Sequence, residues 1–243
     1  MNELRRRVYS RYISAFNEKK NIDLSEIIKK REIYFDRIIK RHFPNQLDSK
    51  ILDLGCGLGI LIYCLKKSGY RYVKGVDISL EQVTAAHKLG IEEVNCGNLL
   101  GCLKKYNDEA VDVVVTFDVI EHFTKEELIP FVDEINRVLK KKGRWIIHIP
   151  NAESPLFGSV RYGDITHEIA FTRTSISQLL YSSGFSKIEC FEDRPICKNI
   201  KGIIRFLIWI VFRNLLKVIV AAETGEINNK QIYSKNLLAV AFK

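Results

Sequence analysis

The sequence predicts an α/β protein built on a seven-stranded, mostly parallel sheet with helices on both faces. Three observations carry this expectation. From Lys50 onward, short runs rich in Val and Ile alternate with segments of helical periodicity, the pattern of parallel strands joined by crossover helices. The first run leads into the glycine-rich segment Asp53-Leu-Gly-Cys-Gly-Leu-Gly59, and the second ends in Asp77. The chain has 243 residues, 47% of them hydrophobic, which suits one such domain with additions.

The elements follow in order. Apolar spacing predicts two N-terminal helices, about 3–18 and 24–42, the second carrying Ile27, Ile28, Phe35, Ile38 and Ile39 on its apolar side. Both are expected to lid the cleft above the sheet. Strands are expected near 50–54, 72–77, 92–96, 111–117 and 143–149, with helices near 58–67, 80–88 and 125–140. A loop from Pro150 to Phe171 precedes a helix near 175–183, which Gly184 stops, and a strand at 187–191. The last strand, 237–242, arrives only after an insertion of about 40 residues. The expected organisation is a basic helical cap (1–43), a body formed by 44–193 with 236–243, and an apolar, basic helical insertion (194–235).

The glycine segment has a chemical meaning. Gly55, Gly57 and Gly59 let the backbone turn and approach a ligand without a Cβ, and the following helix offers free N–H groups at its start. A dinucleotide fingerprint would need glycine at position 60, where the chain has Ile60, so the pattern is GxGxG. Asp77 is placed to accept hydrogen bonds from both hydroxyls of a ribose. Taken singly, Asp53 could cap a turn and Asp77 could sit in solvent; their joint spacing favours a cradle.

Asp53-x-Gly55-x-Gly57-x-Gly59, Asp77 and the run Val111-Asp-Val-Val-Val-Thr-Phe-Asp118-Val-Ile-Glu121-His122 together resemble the class I S-adenosylmethionine-dependent methyltransferases, with a Rossmann-like sheet. The resemblance covers roughly 44–193 and the last strand. It implies S-adenosylmethionine as cofactor, held by Asp53, Gly55, Gly57, Gly59, Asp77 with Ile78 beside it, Asn98 at the adenine end and Asp118 at the methionine end.

Methyl transfer from a sulfonium is a direct displacement, so alignment and control of the acceptor's proton matter most. Asp118, Glu121 and His122 fall at i, i+3 and i+4, on one face if the chain turns helical there. A polar loop follows the fifth strand and carries Asp164, His167 and Glu168, where α/β folds place substrate chemistry. His122, His167 and Glu121 are therefore the candidate catalytic residues. The two segments also resemble metal-assisted O-methyltransferases of ubiquinone biosynthesis and of small-RNA 3′ ends. That resemblance implies a divalent cation, Mg2+, on Asp118, Glu121, His122 and His167, with Asp118 shortening one usual ligand. Two other readings stay open: His122 or His167 as a base oriented by a carboxylate, or Glu121-His122 in a structural role. His148, inside a strand, is expected to be packed.

Charge divides the chain. Residues 1–43 hold 12 Lys/Arg against 6 Asp/Glu, 194–217 hold 6 against none, and 44–193 hold 17 against 21, within a net charge of +9. Basic flanks on a mildly acidic body imply an anionic surface or polymer as partner. The stretch 203–222 is apolar except for Arg205, Arg213 and Lys217, which cluster on a third of a helix circumference. It is expected either to lie in a membrane interface with those cations facing phosphates or to pack on the body or on a second subunit of a homodimer. Six cysteines without ligand spacing speak for a reducing compartment and against zinc, and the charged N-terminus lacks the apolar core of a secretion signal.

The segments IPNAESP, RYGDITHE and AFT, in that order before the insertion, resemble bacterial methyltransferases of surface-glycan assembly. The expected activity is O-methylation of a sugar hydroxyl on a glycan or lipid-linked precursor at the cytoplasmic membrane face. A quinone-type phenol, an RNA 2′-hydroxyl (nucleic acid being the weaker expectation) and a non-catalytic cofactor-binding module are the alternatives.

Overall fold

The computed structural model describes residues 3–13, 24–227 and 230–243. Its centre is a seven-stranded sheet: β1 (Lys50–Leu54), β2 (Tyr72–Asp77), β3 (Val94–Cys96), β4 (Val111–Phe117), β5 (Leu139–Pro150), β6 (Lys187–Glu192) and β7 (Asn236–Phe242). The spatial order is β3-β2-β1-β4-β5-β7-β6. β7 runs antiparallel to both neighbours, and the other pairings are parallel. The order reverses between β1 and β4, where open α/β sheets bind ligands at the carboxyl ends of their strands.

Around the sheet lie α1 (Glu3–Tyr9), α2 (Leu24–His42), α3 (Ile60–Lys67), α4 (Leu80–Lys88), α5 (Leu99–Leu103), α6 (Lys125–Val138), α7 (Phe157–Arg161), α8 (Arg173–Ser182) and α9 (Ile200–Thr224). Strands buried on both sides need apolar cover on both, and two hydrophobic clusters supply it. On one face α6 and α8 pack Phe131, Ile135, Ile176 and Leu180 against Trp145. On the other, α2, α3 and α4 bring Phe35, Ile39, Ile62, Leu65 and Val83 onto Ile51, Val113 and Val115. Helix starts follow side-chain chemistry: Thr124 and Thr172 each close a capping box on α6 and α8.

Several boundaries differ from expectation for local reasons. α1 stops at Tyr9, and positions 14–18 of the expected first helix lie outside the described residues. β5 starts four residues early, because Leu139 pairs with Val111 before a register shift that Lys142 turns with a φ of 66°. α5 and α7 have five residues each, too short to show a period.

The stretch after β4 does not continue as an α-helix. Asp118 adopts φ 55°, and only Ile120–His122 form a 3-10 turn. The expected shared face of Asp118, Glu121 and His122 is therefore lost: the left-handed residue sends Asp118 back toward β5.

The insertion forms α9, longer than 203–222 at both ends and capped by the side chain of Asn199. One of the three cations of 203–222 departs from a membrane-facing arrangement. Arg213 turns to the protein body, where its Nε donates to both carboxylate oxygens of Glu192 at 2.9 and 2.8 Å. The apolar side of α9 faces outward instead. No helix among the described residues is long and apolar enough to cross a membrane.

Candidate active site

The loop after β1 is fastened to the end of β2. Gly57 N–H donates to Asp77 Oδ2 and Ser79 N–H to Oδ1, both at 2.8 Å, while Gly55 N–H donates to the Val76 carbonyl at 2.8 Å. Glycine is required at position 55: φ is +75°, and a Cβ there would stand 2.4 Å from Val119 Cγ2. Two residues on one strand edge thus set how the loop sits.

A cavity of about 470 Å3 opens above this loop, within the usual range for a small-molecule site. Of the residues expected to hold a cofactor, Asp53, Gly55, Gly57, Asp77, Ile78, Asn98 and Asp118 line it. Gly59 does not; its part is to let the loop enter α3 at φ +70°, packed under Val94 and Ile91. Asn98 caps α5 by accepting from Gly101 N–H at 2.8 Å, which leaves one lone pair and its amide hydrogens for the cavity.

The cavity floor is acidic and buried. Asp53 is 2% exposed, and burial, then the neighbouring Asp77 charge, lift its carboxyl to about 8. Burial also raises Asp77, against the pull of the N–H groups of Ser79, Gly57 and Ile78. A cationic group of a ligand beside Asp53 would relieve this repulsion. Arg5, paired with Glu127, and Arg31 also line the cavity.

At the β4 end, Asp118 lines the cavity with its side chain about half exposed, 52%. Its Oδ1 lies 2.8 Å from His148 Nδ1, and its N–H donates to the His148 carbonyl. His148 is buried, stacked on Phe117, with Nε2 at 3.5 Å from Asp193 Oδ2, an ion-pair distance. Burial alone would lower this imidazole, but Asp118 and Asp193 outweigh it and raise His148 to about 10. Burial opposes it, but His148, by its charge and its hydrogen bond, keeps Asp118 below the usual carboxylate range. His148 is thus a buried imidazolium that props the cavity wall, more than the packed strand residue expected.

Beyond Asp118 the structure gathers three of the four expected metal or catalytic residues. Glu121, His122 and His167 offer ligand atoms all within 4.8 Å of one another. Asp118 is not among them, because its carboxylate is committed to His148. Backbone bonds hold the cluster: Glu168 and Ile169 N–H both donate to the Glu121 carbonyl at 2.8 and 3.1 Å, which seats His167 beside His122. Glu121 is fully buried, and among the described residues neither carboxylate oxygen has a hydrogen-bond partner. Burial, then Asp118, push its carboxyl well above the usual range.

The ring nitrogens can be assigned from their partners. Thr166 Oγ1 gives its proton to Asp164 at 2.6 Å, so it accepts from His122 Nδ1 at 2.9 Å. His167 Nδ1–H donates to the Val160 carbonyl at 3.1 Å. In a neutral ring so bonded, Nε2 is the nitrogen that carries the lone pair. Burial, then His167, lower His122 to about 4, so it is neutral at pH 7.

Sequence reading missed four contributors. Tyr9 and Tyr12 line the cavity, with Tyr9 edge-on to His122 at 6.0 Å, and burial pushes the Tyr9 hydroxyl up to about 12. Arg5, 6% exposed inside an otherwise solvated helix, bonds Glu127 at 2.7 Å and fastens α1 over the site. Asp193 lies at the far end of β6. Asn151, by contrast, serves the frame: its Nδ2 donates to the carbonyls of Ile232 and Ser234, pinning the entry to β7.

Residues 52–147 match a family model described as a methyltransferase domain. An uncharacterised protein of Methanocaldococcus jannaschii is 31% identical over 51% of this chain and 51% of its own length. A ubiquinone biosynthesis O-methyltransferase of Rickettsia bellii is 30% identical over 49% of each chain. A ribosomal protein L11 methyltransferase of Thermotoga petrophila is 33% identical over 40% of this chain and 35% of its own. The chain spans about half or less of these relatives' length. Among solved structures, a SAM-dependent methyltransferase of Archaeoglobus fulgidus superposes with a TM-score of 0.66 at 21% identity, covering 91% of this chain and 100% of the other. A phosphoethanolamine N-methyltransferase of Haemonchus contortus with bound S-adenosylmethionine gives 0.59 at 19%, over 87% and 52%. The fold is that of these enzymes.

Two outcomes test the cofactor half. Asp77→Ala removes two charge-assisted bonds and is expected to weaken S-adenosylmethionine about 100-fold in calorimetry; a change under roughly 3-fold would refute the cradle. Asp53 binds its proton more tightly folded than unfolded, so its effect on stability is nil below about pH 4 and grows as a cost up to about pH 8. Asp53→Asn should therefore raise the melting temperature on the order of 5 °C at pH 8, with a clearly smaller gain at pH 5. A pH-independent gain would show that Asp53 is not the titrating group.

Proposed function

We propose, starting from the class I S-adenosylmethionine-dependent methyltransferase domain that residues 52–147 build, that the protein methylates a hydroxyl group, that of a sugar on a glycan or lipid-linked precursor. The observation that carries the reading is the continuity of the cavity: it runs from Asp77, fit for a ribose, to His122, behind which stand Glu121 and His167. A cofactor bound along that line brings its sulfonium methyl toward a polar cluster with imidazole lone pairs.

The chemistry asked of these residues is modest. The acceptor oxygen attacks the methyl carbon as the carbon–sulfur bond breaks and its electron pair returns to sulfur, leaving S-adenosylhomocysteine. The hydroxyl proton passes to Nε2 of His122 or His167. Thr166 and the Val160 carbonyl orient the two rings for that task, and Tyr9 and Tyr12 cover the site against water. Asp118 bears on the positive sulfur, held in its charged form by His148.

Glu121, His122 and His167 also fit a divalent cation. A buried carboxylate with no hydrogen-bond partner among the described residues and two neighbouring imidazoles make a ready set of oxygen and nitrogen donors. Such an ion would supply Lewis-acid polarisation of the acceptor hydroxyl. A phenol of the quinone type is the second reading of the acceptor, favoured by the ubiquinone O-methyltransferase relative and by the aromatic cover from Tyr9, Tyr12 and Phe123.

Labelled-methyl transfer to glycan, lipid and RNA fractions of the host cell tests the acceptor. Label in the sugar-bearing lipid or glycan fraction is expected; label confined to quinones selects the second reading, and label confined to RNA contradicts both. With that acceptor, Glu121→Gln and His167→Ala should each lower kcat roughly 100-fold with cofactor affinity nearly unchanged. Loss of activity in EDTA with recovery in Mg2+ assigns the ion, and activity that survives EDTA leaves the imidazole as base. Unimpaired kcat in both variants would remove the cluster from the reaction.

A further inference from the structure

α9 presents an apolar face to solvent along its whole length. At 100° per residue, Ile204, Leu207, Ile208, Val211, Leu215 and Val218 fall on one side of the helix, and the large apolar residues of that half, from Ile203 to Ile219, are each at least 48% exposed. The opposite side holds the helix to the body through the Arg213–Glu192 pair and through Trp209, whose ring lies under the guanidinium groups of Arg194 and Arg213 at 5.9 and 5.8 Å. Only Gly202 of this helix is buried. A contiguous apolar face of this extent marks an interaction site.

We propose that α9 lies in the plane of an anionic membrane surface, with this outward face seated at the boundary of headgroups and acyl chains. Charge selects the occupant. Residues 194–217 carry six Lys/Arg and no Asp/Glu. Lys198, Lys201 and Arg205 are exposed at the start and flank of the apolar face, where lipid phosphates would meet them. A second copy of this chain would bring the same cations against them. The face is also half a circumference wide, broader than the seam two packed helices share. Lying flat follows from the Arg213 anchor and from the three cations within 203–222, in keeping with a helix not apolar enough to cross.

The anchor places this surface beside the site. Glu192 ends β6 at the edge where β4 and β5 also end, and the next residue, Asp193, reaches His148, which holds Asp118 on the cavity wall. Docking through α9 would thus bring the cavity close to the lipid headgroups. The proposal concerns where the protein sits and stands whichever acceptor is methylated.

Flotation of the full chain with phosphatidylglycerol-containing vesicles, in the absence of cofactor and acceptor, tests it. Binding that falls at least tenfold on pure phosphatidylcholine and in high salt is expected. Leu207→Ser with Val211→Ser and Leu215→Ser, and separately Lys201→Glu with Arg205→Glu, should each reduce binding tenfold or more. All of these residues are exposed, so calorimetry with S-adenosylmethionine should show both variants folded and binding cofactor as before. Failure of the intact chain to float would overturn the proposal. So would a dimer in light scattering that the triple substitution dissolves, since a second copy would then cover the face.

Discussion

The carboxylate of Asp77 holds the site together by taking the N–H groups of Gly57 and Ser79 on its two oxygens. One bond fixes the glycine loop to the neighbouring strand; the other fixes the start of α4. Both leave lone pairs toward the cavity, so the group that shapes the loop is also the one that can receive the ribose. The arrangement is held against an electrostatic cost. Asp53 and Asp77 are both buried at the cavity floor, and burial raises both carboxyl groups. A cationic group of a ligand placed beside these carboxylates would offset that cost.

A second electrostatic unit shapes the opposite wall. The His148 imidazolium lies between Asp118 and Asp193, so residues from β4, β5 and the end of β6 share one charge network under the acceptor side. Glu121 stands near this network without a hydrogen-bond partner among the described residues. Burying such a carboxyl is costly unless something compensates it, and the two imidazoles beside it are where compensation by an ion or a proton would come from.

Much of this was legible in the sequence. The alternation of short Val/Ile runs with helical segments, the glycine spacing and the two strand-end aspartates announced the sheet and the cofactor end, because these rest on local periodicity and on backbone constraints at particular residues. What was not legible depends on contacts between distant segments or on a single dihedral. Asp118 was expected to join Glu121 and His122 on a helical face; one left-handed residue sends it to His148 instead. Arg5, Tyr9 and Tyr12 look like a solvated basic helix until Glu127 and the cavity are placed beneath them. Arg213 looks like part of an outward cationic stripe until Glu192, twenty-one residues earlier, turns it inward.

The central claim is that one cavity holds S-adenosylmethionine with its ribose on Asp77 and its sulfur toward Asp118 and His122. A crystal structure with S-adenosylhomocysteine measures this directly. Both ribose hydroxyls are expected within hydrogen-bond distance of the Asp77 carboxylate, with the sulfur facing the side of the cavity lined by Asp118 and His122. Ligand density elsewhere, or a ribose turned away from Asp77, would contradict it.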